Sequence, residues 1–151
     1  MIGRTVTIIP IGVVLALLAA AGCEDAKPVK RRASNQSVSE VAATFSELAT
    51  REEQYVVETG EYLSTGGEGD LASAPGPTWK KLGVRGIKAP LECKYGVMAG
   101  RANEAPSGPL GRELFAGETP TRAWFYLVAD CDGLQFMQRG GSNEIVERKP
   151  R

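Results

Sequence analysis

Between Ser37 and Leu63 the chain reads SVSEVAATFSELATREEQYVVETGEYL, and apolar residues recur there at steps of three and four: Val38, Val41, Ala42, Phe45, Leu48, Ala49 and Tyr55. That spacing predicts one amphipathic helix with a single apolar stripe. Ser39, Glu40, Thr44, Glu47, Arg51 and Glu53 occupy its other faces. Ser37 and Glu40 fit a capping box at its start, and Gly60 is the expected stop. Downstream the period changes to two. From Glu92 to Ala99 the residues Cys93, Tyr95, Val97 and Ala99 alternate with Glu92, Lys94 and Gly96, Met98 standing out of pattern, which predicts a strand. Ala123 to Ala129, AWFYLVA, is a continuous apolar run and is the expected central strand. Asp132-Gly133 is a favoured pair for a two-residue hairpin turn, Leu134 to Gln138 returns as the next strand, and Ile145-Val146 adds a short edge before a frayed end at 149–151.

The segments between these elements are rich in Gly, Pro, Ser and Ala. Ser64 to Pro77 carries no packing signal and reads as a loop. Trp79 and Leu82 supply apolar anchors around WKKLG, and Gly100 to Pro120 is again loop-like apart from Leu114-Phe115. The expected fold class is α+β: one N-terminal amphipathic helix packed on an antiparallel sheet of three to four strands, occupying residues 37–148.

Residues 1–22 form an expected signal peptide, with Arg4 at the charged start, an apolar stretch from Val6 to Ala21 and small residues at the end. The ending Leu18-Ala19-Ala20-Ala21-Gly22-Cys23 resembles the lipobox of bacterial lipoproteins, which implies fatty acylation of Cys23 as the new first residue. Ala20 stands where that motif usually has leucine. An uncleaved anchor and ordinary cleavage after Ala21 or Gly22 are the alternatives, because an apolar stretch of about 18 residues is just long enough to span a bilayer. Residues 23–36 read as a polar tether whose cluster Lys30-Arg31-Arg32 is suited to anionic headgroups.

Composition narrows the chemistry. The 151 residues hold 18 Lys and Arg against 18 Asp and Glu, scattered among one another, which argues against nucleic-acid binding by bulk charge. There is no histidine, so the commonest general base near neutral pH and the commonest metal ligand are missing. The cysteine count is three. With Cys23 assigned to lipid, Cys93 and Cys131 are left as a disulfide in an oxidising compartment, two free buried thiols being the alternative. Setting the two opposite each other in antiparallel strands pairs Tyr95 with Ala129, Val97 with Leu127 and Ala99 with Phe125. The Asp132-Gly133 turn independently pairs Cys131 with Leu134 and Ala129 with Phe136. Both registers put apolar residues on one face, which the helix stripe is expected to cover.

A helix ending in Glu53-Gln54-Tyr55 … Glu58-Thr59-Gly60-Glu61-Tyr62, followed by Trp79 … Leu82-Gly83, resembles the globular part of bacterial type IV pilins and pseudopilins. Cys93-Lys94-Tyr95 and Trp124-Phe125-Tyr126 … Ala129-Asp130-Cys131-Asp132 are similar to strands of that family, so the resemblance spans residues 37–138. It implies a pilin-like head. It does not imply polymerisation, because Gly3 is followed by Arg4-Thr5-Val6-Thr7-Ile8, Pro10 interrupts, and no acidic residue precedes Glu24.

Candidate chemistry is thin. Asp130 and Asp132 flank Cys131 at a turn, too few oxygens for a hard cation, and Glu52-Glu53 reads as solvated helix surface. Ser64-Thr65-Gly66-Gly67 lacks the lysine of a phosphate loop, and no histidine is present to activate a cysteine. No metal, cofactor or catalytic residue is expected. Trp124 and Tyr126, with Val128, point away from the helix side and form the candidate interface; the alternative is that loops fold back over them with Trp79 or Phe115 as lid.

The expectation is therefore a non-enzymatic, lipid-anchored cell-envelope protein, at the inner or outer membrane with its domain in the periplasm or at the cell surface. Its most concrete form is a pilin-like accessory component that touches pilus or secretion-system proteins. The alternatives are a periplasmic lipoprotein that binds a small ligand and a lineage-specific envelope protein unrelated to pili.

Overall fold

The computed structural model describes residues 35–73, 76–87 and 93–149, with side chains from residue 38 onward. The expected signal peptide, Cys23 and residues 24–34 of the tether lie outside the described residues, as do Pro150 and Arg151.

The long helix α1 spans Asn35–Thr59. It begins two residues earlier than the periodicity indicates, so Asn35 and Gln36 belong to the helix and Ser37 lies within its first turn. Gly60 ends it as expected, at φ 84° with its N–H donating to the Val56 carbonyl. Two short helices follow, α2 (Pro77–Lys81) and, after β1 (Cys93–Gly100), α3 (Gly108–Leu114). Strands β2 (Trp124–Cys131), β3 (Leu134–Arg139) and β4 (Val146–Arg148) complete an antiparallel sheet of order β1-β2-β3-β4.

The strand registers are those the cysteines and the turn imply: Cys93 opposes Cys131, Tyr95 opposes Ala129, Val97 opposes Leu127, and across the hairpin Ala129 opposes Phe136. Asp132 and Gly133 take φ values of 55° and 84°, the left-handed pair that a tight hairpin requires. The Cys93–Cys131 disulfide bridges the ends of β1 and β2.

One face of the sheet packs on α1. Val41, Phe45 and Leu48 from the helix, Trp79 and Leu82 around α2, and Tyr95, Val97, Phe125, Leu127, Ala129 and Phe136 from the strands make one core, with Phe45 edge-on to Tyr95 at 6.2 Å. The other face is covered too. Met98, Trp124, Tyr126, Val128 and Met137 pack there against Leu110 and Phe115, with Leu71, Leu114 and Val146 at the margin. Met98 therefore obeys the alternation of β1; it simply faces the second core. The chain between α1 and α2 crosses from one core to the other. Leu63 packs on the first and Leu71 on the second. On the way it pairs with the outer edge of β1, through the Thr65 N–H to the Val97 carbonyl at 2.8 Å and a two-way bridge between Ala72 and Tyr95. The segment expected to be a loop without packing is a strap that occupies an otherwise open sheet edge.

The disulfide closes a separation of 38 residues, and on the chain-entropy account that should contribute about 4 kcal/mol. Urea unfolding of the Cys93→Ser/Cys131→Ser double variant is expected to show a loss of that order. A difference below about 1 kcal/mol would mean that the reduced unfolded chain is already constrained.

Candidate functional site

The candidate interface is the first site to place. Trp124 is 6% exposed and Tyr126 is fully buried, and both stand in the second core, stacked at 5.9 Å between ring centroids. This corrects the expectation of an exposed aromatic strip. The lid is Phe115, at the end of α3, which meets Trp124 edge-on at 5.5 Å and Tyr126 at 6.3 Å. Trp79 belongs to the opposite core. Each polar tip under the lid has a protein partner. The Trp124 indole N–H donates to the Glu104 carbonyl at 2.8 Å, and the Tyr126 hydroxyl donates to Glu68 Oε1 at 2.7 Å. The same Glu68 oxygen accepts the Gly111 N–H at 2.9 Å, so one carboxylate holds strap, strand and α3 together. Burial, then Glu68, pushes the Tyr126 hydroxyl far above its ordinary range.

The second correction concerns Glu52. Its neighbour Glu53 is exposed, but Glu52 is wholly buried, four residues beyond Leu48 on the apolar stripe. Its Oε2 accepts the Leu63 N–H at 2.9 Å, and its Oε1 has no hydrogen-bond partner. Burial pushes the carboxyl up from 4.5 to about 7; the Leu63 N–H works against that rise and the Glu53 charge adds to it. Beside it, the Tyr62 hydroxyl donates to Glu53 Oε1 at 3.2 Å, and the Tyr62 ring lies on Phe125 at 4.7 Å. A carboxyl that titrates near neutrality is suited to proton transfer, but a substrate must reach it. Glu52 is enclosed by core and strap, and what it does in this position is fasten the start of the strap to α1.

The remaining motifs resolve into structure. Asp130 Oδ1 accepts the Gly133 N–H within the hairpin. Ser64 and Thr65 bond to the Val97 backbone of β1. Among the described residues no group of three or more His, Cys, Asp or Glu could hold a metal ion, and no helix is long and apolar enough to cross a membrane. Between α1 and the sheet stand the buried side chains of Val41, Phe45, Leu48, Tyr95, Val97, Phe125 and Leu127. Open grooves lie at the surface among the described residues. One of about 470 Å³ is bounded by Leu114, Met137, Arg139 and Val146, one of about 400 Å³ by Glu61, Arg101 and Glu104, and one of about 270 Å³ by Tyr62, Phe115 and Arg122. Arg139 stands between two of these and lies over the Phe115 ring at 4.5 Å.

No family model, no curated protein and no solved structure matches this chain.

Two residues here escaped the sequence reading. Glu52 carried a signal, its place on the stripe; Glu68, in a Gly-rich stretch, carried none.

Two outcomes follow from this packing. Trp124→Ala should cost about 3–5 kcal/mol, seen as a large fall in melting temperature, because it empties a core site; an unchanged melting temperature would return Trp124 to the surface. Glu52 has a folded-state pKa above its unfolded value, so its contribution is complete below about pH 4.5 and is lost as pH rises through about 7. Between pH 5 and pH 8 the wild-type chain should lose about 2–3 kcal/mol more stability than Glu52→Gln does. Parallel stability curves for the two proteins would show that the Glu52 carboxyl is not desolvated.

Proposed function

We propose that this chain is a non-enzymatic, exported protein of the bacterial cell envelope, held at a membrane by lipid on Cys23. Its domain would be a pilin-like head that acts by contact with protein partners of a pilus or secretion machine. The observation that carries the reading is the Cys93–Cys131 disulfide, placed between adjacent strands of a domain that follows an apolar, lipobox-like leader. A bridge of this kind persists in an oxidising compartment, and the leader layout points to the same place.

The pilin-like part has support of a coarser kind. A long N-terminal helix lies on an antiparallel meander, and the Glu53, Gly60 and Tyr62 positions that carry the resemblance close the helix end: Gly60 stops it and Tyr62 returns to Glu53. The non-enzymatic part is supported by what the titratable groups do. Glu52 and Glu68 each accept a backbone N–H from a covering segment, and Asp130 holds a turn. The alternative of a small-ligand-binding lipoprotein expects an apolar cavity between helix and sheet, and that space holds Phe45, Tyr95 and Phe125.

The test is the intact mass of the protein recovered from native membranes, with its N-terminal peptide mapped. A mature chain beginning at acylated Cys23 is the expected result. A chain beginning at Gly22, or at Cys23 without lipid, would end the anchored reading, and a chain cut after Gly3 would favour a pilin-type leader.

A further inference from the structure

The formal neutrality of the chain conceals two blocks of opposite sign. From Glu52 to Asp70 there are six acidic residues and no Lys or Arg; from Leu71 to Leu91 there are Lys80, Lys81, Arg85 and Lys88 and no Asp or Glu. The charges are segregated here, which corrects the expectation that they are scattered. Folding holds three of these cations on a rigid support. Trp79, Leu82 and Val84 are buried and Ile87 is partly buried against the first core, while Lys80, Lys81 and Arg85 between them are exposed. Arg51 joins them from α1: its guanidinium packs against Gly83, so closely that a Cβ there would lie 3.3 Å from Nη1. None of these four cations makes an ion pair among the described residues. The ion pairs that do form, Arg101 with Glu61 and Arg148 with Glu113, lie elsewhere.

We propose that Arg51, Lys80, Lys81 and Arg85 form a docking surface for the anionic phospholipid headgroups of a bilayer, which seats the domain on the membrane that its N-terminal part enters. The membrane proximity rests on the anchored reading above; the charge of the patch does not. Two features select lipid over other polyanions. The patch exposes no aromatic ring on which a nucleobase could stack, Trp79 being buried. The chain ahead of α1 carries Lys27, Lys30, Arg31 and Arg32, cations suited to the same anionic plane. Reach is sufficient. Residues 24–34 can span about 36 Å at most when extended, and Arg51 stands about 24 Å along α1 from its start, so the helix can lie along the surface. With no exposed large apolar side chain in the patch, attachment would be electrostatic, without insertion, and sensitive to salt.

Lysine acylation followed by peptide mass spectrometry tests this. The full chain recovered from membranes is placed in phosphatidylcholine nanodiscs with or without phosphatidylglycerol. Phosphatidylglycerol is expected to slow acylation of Lys80 and Lys81 about fivefold or more, on the scale of one surface charge, with Lys149 as the unaffected reference. About 1 M salt should abolish the protection. Arg51→Glu/Arg85→Glu should abolish it too, with Arg85→Gln giving a partial loss if the double variant melts early. Equal acylation in both discs would overturn the proposal. Stronger protection by soluble polyglutamate than by anionic discs would also overturn it, in favour of an acidic protein. A chain that does not enter discs sinks the anchored reading alone, and the same labelling with phosphatidylglycerol vesicles then decides the patch.

Discussion

Strand β2 has no polar face. From Trp124 to Ala129 every residue is buried, alternate side chains going to opposite sides of the sheet. A strand of this composition is stable only if both faces are covered, and most of the architecture follows from that need. Helix α1 covers the face that carries Phe125, Leu127 and Ala129. The opposite face, with Trp124, Tyr126 and Val128, is too wide for the seven-residue α3 alone, and the strap from α1 completes the cover. Two carboxylates then fasten the cover at its ends. Glu52 holds Leu63, where the strap leaves the helix, and Glu68 holds Gly111 and Tyr126, where it reaches the second core. The two carboxylates stand in contrasting settings. Glu52 is sealed in with one oxygen unpartnered and is driven toward its neutral form, whereas Glu68 shares a single oxygen between two donors.

What could be read from the chain was whatever depended on periodicity. The helix stripe, the strand registers and the disulfide all followed from spacing, because a one-residue slip would have turned a whole face the wrong way. The second cover was harder to see. Its pieces are short and irregular: α3 begins with Gly108-Pro109, and the strap carries Gly66, Gly67 and Gly69 in close succession, so neither carries a repeating pattern. Yet an unbroken apolar run such as AWFYLVA fits a strand buried on both sides, and Phe115 is an apolar interruption in an otherwise Gly- and Pro-rich stretch. Glu52 was misplaced for a different reason. Its charge points to solvent, whereas its position, four residues past Leu48, is inward on any α-helix.

The same completeness of packing redirects the functional question. With both cores filled and the aromatic residues enclosed, the domain has little apolar surface to offer a partner; Val57, at 85% exposure, is the large hydrophobic residue left in solvent among those described. A lone exposed valine is ordinary. Among the described residues the surface is therefore mainly polar, and charge is where the chain is uneven. The acidic block runs from the end of α1 into the strap, and the basic block begins at α2, directly after it in sequence.

That adjacency has a mechanical side. Glu52 opens the acidic block, next in sequence to Arg51, whose guanidinium lies against Gly83 in the basic segment. When Glu52 is neutral, the helix end that presents Arg51 and the strap that starts at Leu63 are held by a hydrogen bond with no buried charge. When it ionises, a charge appears inside the core at the same point, and the packing there is weakened. A covering segment fastened by a group that titrates near neutrality joins the stability of the first core to the acidity of its surroundings. The two ends of one strap are thus held by the same chemical group in different surroundings, wholly buried at Glu52 and half-buried at Glu68.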